Sequence, residues 1–303
     1  MNCLKPFLIK NKKYKEKTSY VKKTKEYYYI RVPCGKCEAC LSRKRQQWFF
    51  RLNEETKVAS SAYFVTLTYS EDNLPSDRLR ANRDITLFLG NFREQVNRHF
   101  RRMYDDGRRI CLRYFLVSER GEDFGRLHYH FLLFNFPGDD TSLRKFLKSS
   151  WCKCEPFMFD IPKSVGNVTP ASINYVCKYC LSTLEDSDPD KRPIFRCSKG
   201  LGKNFLTPSM VDYLRRQKDG IGFTNGFRVS LPRYYADKVF TEEEKDFIRH
   251  QKELYHEQNL DEYYTHNANT LAGHPERLRL QEQQQFAERI QKKLKKNGII
   301  SED

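Results

Sequence analysis

No run of about 18 consecutive apolar residues, the length needed to span a bilayer, occurs in the 303-residue chain. The start of the sequence also lacks the apolar segment of a secretory signal peptide. We therefore expect a protein of the reducing cytosol that enters no membrane. In that compartment the ten cysteines should be thiols or metal ligands rather than disulfides.

Apolar residues are scarce, at 39% of the chain with a mean hydropathy of −0.78, so we expect part of the length to lie outside any core. Aromatic residues make up 14%, which argues against general disorder because disordered chains contain few of them. These values predict one folded domain with polar extensions. We place a basic, cysteine-rich segment at 1–45, the main domain at 46–240 and a polar helical extension at 241–303.

Acidic residues are outnumbered, with 39 Asp and Glu against 55 Lys and Arg and a net charge of +16. Much of the excess positive charge lies in residues 1–45, which contain 14 Lys and Arg but only three acidic residues, Glu16, Glu26 and Glu38. Lysine and arginine neutralise phosphates and aromatic rings stack on bases, so the pattern favours nucleic acid as a partner. The alternative is a solvated basic segment that only improves solubility.

The order of strand-like and helix-like segments indicates an α+β fold with an antiparallel sheet flanked by helices. Clusters of β-branched and aromatic residues predict strands at 27–30, 61–69, 111–119, 126–136 and 227–231. Helical patterns are found at 43–52, 84–100, 143–151, 172–184 and after Pro232. For the helix at 84–100 we expect Asp84 at the N-cap and Leu87 on the apolar face.

Two histidines lie on one expected strand, in the sequence Leu-His-Tyr-His at 127–130. Because side chains alternate across a strand, His128 and His130 project from the same face, with Cβ atoms about 7 Å apart. Glu119 closes the preceding strand, and a hairpin turn would bring it beside the pair. Two imidazoles and a carboxylate can hold a divalent cation and leave positions open for a phosphate oxygen. The alternative is a histidine pair that is only structural.

Two tyrosines lie four residues apart on an expected helix, with a lysine between them. Tyr175 and Tyr179 would therefore lie on one helix face, with Lys178 three residues after the first. A phenol, with a pKa near 10, suits attack on a phosphodiester when a metal polarises the phosphate and a cation steadies the developing charge. The alternative is an amphipathic helix whose tyrosines pack into the core.

Cysteines at 34, 37 and 40 have a spacing suited to metal thiolates. A closed tetrahedral zinc site needs a fourth ligand, and Cys3 is the best candidate to join Cys34, Cys37 and Cys40. The alternative is a loop with free thiols. The sequence does not decide whether the other clustered cysteines bind a metal; they are Cys152, Cys154, Cys177, Cys180 and Cys197. For Cys177 and Cys180, on the helix of the two tyrosines, we expect a role in packing.

Three of these segments, taken in order, resemble the motifs of the HUH endonuclease superfamily of replication initiators. They are the strand Phe-Val-Thr-Leu-Thr-Tyr at 64–69, the histidine strand at 127–130 and Tyr-x-x-Lys-Tyr at 175–179. The ordered set covers residues 62–183. A narrower resemblance, to initiators of microviruses of the gokushovirus branch, rests on Cys3 with the run 33–40, Arg43 with Trp48, and the segments 198–202 and 231–235.

The superfamily resemblance implies an enzyme that nicks and rejoins single-stranded DNA at a replication origin and so starts rolling-circle replication. It implies Mg²⁺ or Mn²⁺ on Glu119, His128 and His130, with Tyr175 as leading nucleophile. Tyr179 would be the second nucleophile and Lys178 an electrostatic helper. Two tyrosines in one chain suit the closing of a circle, because the second can cut the regenerated origin while the first holds the original 5′ end. The microvirus resemblance implies the cytoplasm of a bacterial host.

Two alternatives stay open at the level of sequence. One is a relaxase, transposase or plasmid initiator of the same catalytic type. The other is a zinc-containing single-stranded DNA-binding protein whose histidines and tyrosines are structural; such a protein would never form a covalent adduct with DNA. After residue 241 the sequence is polar with a narrow apolar stripe, which suits packing on the core, pairing with another chain, or binding a host helicase or other replication protein.

Overall fold

The computed structural model describes residues 3, 7–10, 29–104, 110–121, 125–179, 192–224, 226–249 and 251–252. They fall into two compact units, one ending at Phe205 and the other beginning at Leu206. Among the described residues, no helix combines the length and apolar character that crossing a membrane requires.

The first unit is built on a five-stranded antiparallel sheet, which confirms the predicted α+β class. Its strands are β3 (Ala62–Leu67), β4 (Arg113–Arg120), β5 (Leu127–Phe134), β6 (Val165–Asn167) and β7 (Phe195–Cys197), in the spatial order β6-β3-β5-β4-β7. A separate antiparallel pair precedes it, formed by β1 (Phe7–Lys10) and β2 (Tyr29–Val32). The hairpin from β4 to β5 therefore occupies the middle of the sheet, where strands pair on both sides.

Helices cover both faces of the sheet. They are α1 (Glu38–Val58), α2 (Arg78–Tyr104), α3 (Asp140–Ser150) and α4 (Pro170–Tyr179). One face packs against α2 and α3 through a core that includes Val65, Leu116, Tyr129, Phe131 and Leu133. Burial of each such side chain contributes about 1.5–3 kcal/mol to folding.

The opposite sheet face packs against α1 and α4. Its core includes Phe115, Val117 and Leu132 from the central strands, with Leu52 from α1 and Val176 from α4. Strand alternation places Glu119, His128 and His130 on this same face, past the end of the apolar cluster. The face that holds α1 and α4 therefore carries an apolar core at one end and a polar group at the other.

The second unit contains α5 (Pro208–Gln217), α6 (Arg233–Val239) and an antiparallel hairpin of β8 (Ile221–Thr224) and β9 (Phe227–Ser230). Residues 242–249 are also helical, as the polar sequence after Pro232 predicts. The remainder of the predicted C-terminal extension lies outside the described residues. The division at 1–45, 46–240 and 241–303 stays a prediction.

The start of α2 was predicted wrongly. The helix begins at Arg78, and Asp84 lies buried inside it instead of at the N-cap. Asp77 occupies the capping position, where its carboxylate accepts a hydrogen bond from the Arg80 backbone N–H at 2.8 Å. Leu87 is also misplaced, because it is 54% exposed while Phe88 packs into the core.

Candidate metal and tyrosine site

Strands β4 and β5 bring one carboxylate and two imidazoles together. Glu119 pairs directly across the ladder with His128, and His130 follows two residues later on the same face. The Glu119 Oε2 atom lies 2.6 Å from Nε2 of His130 and 3.3 Å from Nε2 of His128. These three residues are called here the carboxylate–histidine cluster; their ligand atoms all lie within 4.8 Å of one another.

The imidazoles are held in a form that suits metal binding. His128 Nδ1 lies 3.2 Å from the Arg126 carbonyl oxygen, so a neutral ring that donates there turns the Nε2 lone pair to the cluster. Burial lowers the pKa of His130, and this effect outweighs the opposing influence of the neighbouring Glu119. A neutral His130 ring can therefore donate electrons to a cation at neutral pH.

The donor set fits a catalytic divalent cation. Two nitrogens and one carboxylate oxygen supply three ligands, and an octahedral ion would keep further positions for water or phosphate. Glu119 and His130 are almost fully buried, whereas the side chain of His128 is 20% exposed. The cluster thus opens to solvent on the side of His128.

Helix α4 places Tyr175 beside the cluster. The Tyr175 hydroxyl donates a hydrogen bond of 3.4 Å to Oε2 of Glu119. The rings of Tyr175 and His130 meet edge to face, with 5.0 Å between their centroids. Ile173 and Val176 on the same helix are buried against the sheet. The packing of α4 on the sheet therefore holds Tyr175 beside the carboxylate–histidine cluster. Tyr175 itself stays 42% exposed.

The structure gives less information on the other predicted residues of this helix. Lys178 lies half-buried in the last turn of α4, three residues after Tyr175. Tyr179 is the last residue of the helix, and its side chain lies outside the described part of the structure. Cys177 is buried in the core below α4, in agreement with the prediction that it serves packing.

The four predicted thiols also come together. Cys3, Cys34, Cys37 and Cys40 have their sulfur atoms within 4.8 Å of one another and are called here the four-cysteine cluster. Burial raises the pKa of the Cys40 thiol to about 12. Among the described residues the only groups suited to a metal are this cluster and the carboxylate–histidine cluster, so Cys152, Cys154, Cys177 and Cys197 form no further one.

Two features of the site were not predicted. The Phe64 ring stacks on His130 with a centroid distance of 5.5 Å, although its strand was singled out only as a motif. Arg45 on α1 donates two hydrogen bonds to Oδ1 of Asn174, the residue before Tyr175. Nothing local in the sequence indicates this pair, because 129 positions separate its members.

Fold and site together define an α+β protein in which a tyrosine hydroxyl adjoins a candidate divalent-metal site. Residues 62–184 match the model of a family described as replication-associated protein ORF2. This range contains β3, the carboxylate–histidine cluster and all of α4.

Three phage proteins are similar over a longer stretch. The replication-associated protein VP4 of Bdellovibrio phage phiMH2K is 29% identical over 232 residues, which cover 71% of this chain and 69% of the relative. ORF2 of Spiroplasma virus 4, also a replication-associated protein, is 26% identical, with 82% and 83% covered. For the replication-associated protein ORF4 of Chlamydia phage 1 the identity is 24%, with 68% of this chain and about half of the relative covered. No solved structure matches significantly.

These matches confirm the resemblance to a microvirus-like replication initiator that the sequence motifs indicate.

Proposed function

We propose that the chain is a rolling-circle replication initiator that nicks and rejoins single-stranded DNA through a covalent 5′-phosphotyrosine. The observation that carries the proposal is the Tyr175 hydroxyl, 3.4 Å from a carboxylate that two histidines also approach. The names of the related phage proteins support a role in DNA replication. We place this activity in residues 46–240.

The chemistry follows from the neighbours of Tyr175. Its oxygen attacks the phosphorus of the scissile phosphodiester, the bond from phosphorus to the 3′ oxygen breaks, and that oxygen leaves as a hydroxyl with a proton from solvent. The phenol proton is directed towards Glu119 by the existing hydrogen bond. A bound Mg²⁺ or Mn²⁺ on Glu119, His128 and His130 would polarise the phosphate. The ester conserves the energy of the broken bond for rejoining.

Lys178 and Tyr179 complete the proposed machinery. An ammonium group beside the reacting phosphate would offset the negative charge that develops as the phenol attacks. Tyr179 lies one helical turn from Tyr175, so a second phosphotyrosine can form within the same chain. Alternation between the two tyrosines would release a closed single-stranded circle without a second subunit.

The proposed partners are single-stranded DNA and the replication origin, inside the cytoplasm of a bacterial host. Binding of a host helicase or another replication protein is proposed for residues 241–303. The four-cysteine cluster has a different donor chemistry, which suits a structural ion rather than a catalytic one.

The test is the formation of a covalent protein–DNA adduct. Full-length protein is incubated with Mn²⁺ and the single-stranded circle that encodes it, radiolabelled throughout, and the reaction is separated on a denaturing gel. We expect a linear DNA product and labelled protein that resists boiling in detergent. His128→Ala and His130→Ala should bind the same DNA but form no adduct.

Other outcomes separate the alternatives. Wild-type protein that binds DNA and never becomes labelled would leave a non-catalytic binding protein as the answer. Cleavage of insertion-sequence ends in preference to the encoding circle would point to a transposase of the same catalytic type. Normal adduct formation by His130→Ala in chelator-treated buffer resupplied with metal would refute the ligand assignment.

A further inference from the structure

Four thiols from separate parts of the chain meet at the start of α1. Cys3 comes from the segment before β1, Cys34 and Cys37 from the turn after β2, and Cys40 from the first turn of α1. The proposed nicking reaction uses none of them. We propose that this four-cysteine cluster binds one Zn²⁺ ion and fixes the N-terminal segment to α1.

The spacing of the sulfurs fits a tetrahedral ion. Zinc–sulfur bonds of about 2.3 Å place the sulfurs of a tetrahedral site about 3.8 Å apart. Sγ of Cys3 and Sγ of Cys37 are 3.7 Å apart, and all four sulfurs lie within 4.8 Å of one another. No disulfide joins these cysteines. A small contraction of the group would therefore bring every sulfur to bonding distance from one central ion.

The backbone around the cluster stabilises thiolates. The N–H of Cys34 donates to Sγ of Cys3, and the N–H of Cys37 donates to Sγ of Cys34, both at 3.2 Å. Such bonds offset the negative charge that four thiolates and one Zn²⁺ leave behind. Gly35 has a φ of +74°, which lets the chain turn between the first and second cysteines of this segment.

The donor chemistry selects the ion and its role. Four soft thiolates favour Zn²⁺ over the hard ions Mg²⁺ and Mn²⁺, whereas the carboxylate–histidine cluster contains no sulfur. Four protein ligands also leave a tetrahedral ion with no open position, which is the pattern of a structural site. The thiolates therefore select Zn²⁺ for the four-cysteine cluster, and an ion enclosed by four protein ligands takes no direct part in cleavage.

The experiment measures metal in the full-length protein purified under reducing conditions. We expect about one zinc per chain by elemental analysis, and replacement by Co²⁺ should give the intense visible bands of a tetrahedral thiolate complex. Cys37→Ser should lower zinc affinity at least tenfold. The matched control is Cys111→Ser, which removes an exposed cysteine outside the cluster and should keep full zinc content.

Each other outcome contradicts the proposal. Wild-type protein with no zinc and no cobalt bands would show that the thiols bind no such ion, even if Cys37→Ser fails to fold. Iron with labile sulfide would identify a different centre. Equal loss of zinc in Cys111→Ser and Cys37→Ser would place the ion elsewhere. Adduct formation is a separate readout, so failure of the proposed nicking activity would leave this test unaffected.

A different observation points to a positioning residue for the nucleophile, and this second inference rests on the proposed function. The Arg45 guanidinium donates from Nε at 3.1 Å and from Nη2 at 2.8 Å to Oδ1 of Asn174. Asn174 directly precedes Tyr175 on α4, and α1 and α4 pack on the same sheet face. We infer that Arg45 fixes the rotation of α4 and so aims the Tyr175 hydroxyl at Glu119.

Substitutions can separate positioning from charge. Arg45→Lys keeps the positive charge but cannot donate two hydrogen bonds in the geometry of the guanidinium group. Asn174→Ala removes the acceptor atom without changing the charge. Each should slow single-turnover adduct formation about tenfold at saturating DNA while the DNA dissociation constant stays constant. The double variant should be no slower than either single variant, because both remove the same contact. Gln46→Ala, at an exposed and uncharged position next to Arg45 on α1, is the control.

Three other results would contradict the positioning role of Arg45 or the proposed function, and each can be recognised separately. Wild-type rates in Arg45→Lys and Asn174→Ala would show that Arg45 acts as a simple charge or has no role. Additive losses in the double variant would show that the two residues act independently. Absence of an adduct in the wild type would instead refute the proposed function itself.

Discussion

His130 is the residue whose surroundings bear most directly on metal binding. Its ring is almost fully buried between the Phe64 ring and the edge-on Tyr175 ring, and its Nε2 approaches Glu119 at 2.6 Å. Burial penalises the imidazolium form, so the pKa of His130 is lowered despite the adjacent carboxylate. Burial thus favours the neutral form of His130 although a carboxylate lies beside it.

A pH dependence of metal affinity follows from the lowered pKa. Protons compete with a metal only below the pKa of the free ligand, so His130 should cause no loss of Mn²⁺ affinity as the pH falls from 8 to about 6.5, the ordinary pKa of histidine. Further acidification should weaken binding, by up to tenfold for each pH unit below the His130 pKa. Calorimetric titration of Mn²⁺ at several pH values measures this. A decline attributable to His130, absent in His130→Asn, that starts above pH 7 would contradict the prediction.

The two tyrosines give a second prediction at the scale of single residues. Tyr175→Phe keeps the ring and its contact with His130 but removes the hydroxyl, so initial cleavage should fall about a hundredfold or more with little change in stability. Tyr179→Phe should cleave the origin but fail to release closed circles. Peptide mapping of the trapped adduct identifies the labelled tyrosine. Label on Tyr179 alone would reverse the assigned roles.

At the scale of elements, α1 is tied to the sheet by a buried ion pair. The Glu55 carboxylate pairs with Arg113 of β4 and also accepts a hydrogen bond of 2.7 Å from the Gly202 N–H. The Glu55 side chain is 4% exposed and that of Arg113 15%. Because α1 carries Cys40 and Arg45, this pair stabilises the helix that holds a proposed zinc ligand and the proposed positioning residue.

Removal of one partner of this pair should destabilise the protein strongly. Glu55→Ala leaves the Arg113 charge buried without its partner, and we expect a loss of about 3–5 kcal/mol in unfolding free energy. Replacing both residues with methionine should recover much of it. Denaturant titration measures the effect. Glu94→Ala, which breaks a pair more than 60% exposed on both sides, should cost less than about 1 kcal/mol; an equal cost for Glu55→Ala would contradict the argument.

The elements differ in how far the sequence predicts them. The strands β4 and β5 were predicted because their alternating side chains and the turn between them are local signals, and the approach of Glu119 to the histidines follows from hairpin register. The edge strands β6 and β7 were missed because three residues carry no readable period. The Asp84 error has a different origin, because a residue type common at N-caps gives a false signal when it lies inside a helix.

The non-local parts of the site were beyond sequence reasoning for a different reason. The contact of Arg45 with Asn174 depends on how α1 and α4 cross the sheet, which no pattern within either segment specifies. The four-cysteine cluster was an intermediate case. Three of its members share one short segment with ligand-like spacing, whereas Cys3 was included because tetrahedral zinc needs a fourth ligand.

At the scale of the whole molecule, the uneven charge indicates which part of the chain would contact DNA in the proposed function. The net charge is +16, and residues 1–45 contribute 14 of the 55 basic side chains with only three acids. The carboxylate–histidine cluster, in contrast, is a small site with one carboxylate, and in the proposed mechanism a bound cation would offset that charge before a phosphate approaches. Affinity for DNA and cleavage chemistry should therefore depend on separate parts of the chain.

This separation can be tested on residues 11–26, which contain seven lysines and two glutamates. Replacing the seven lysines with glutamine should weaken binding to any single-stranded DNA and reduce the salt dependence of binding, by about 0.7 in logarithmic slope for each phosphate that is no longer neutralised. Cleavage at saturating DNA should stay unchanged, because the proposed metal ligands and the proposed nucleophiles are untouched. Replacement of the same lysines with arginine is the control and should keep the original slope. An unchanged slope in the glutamine variant, measured by fluorescence anisotropy at several salt concentrations, would show that these lysines do not bind DNA.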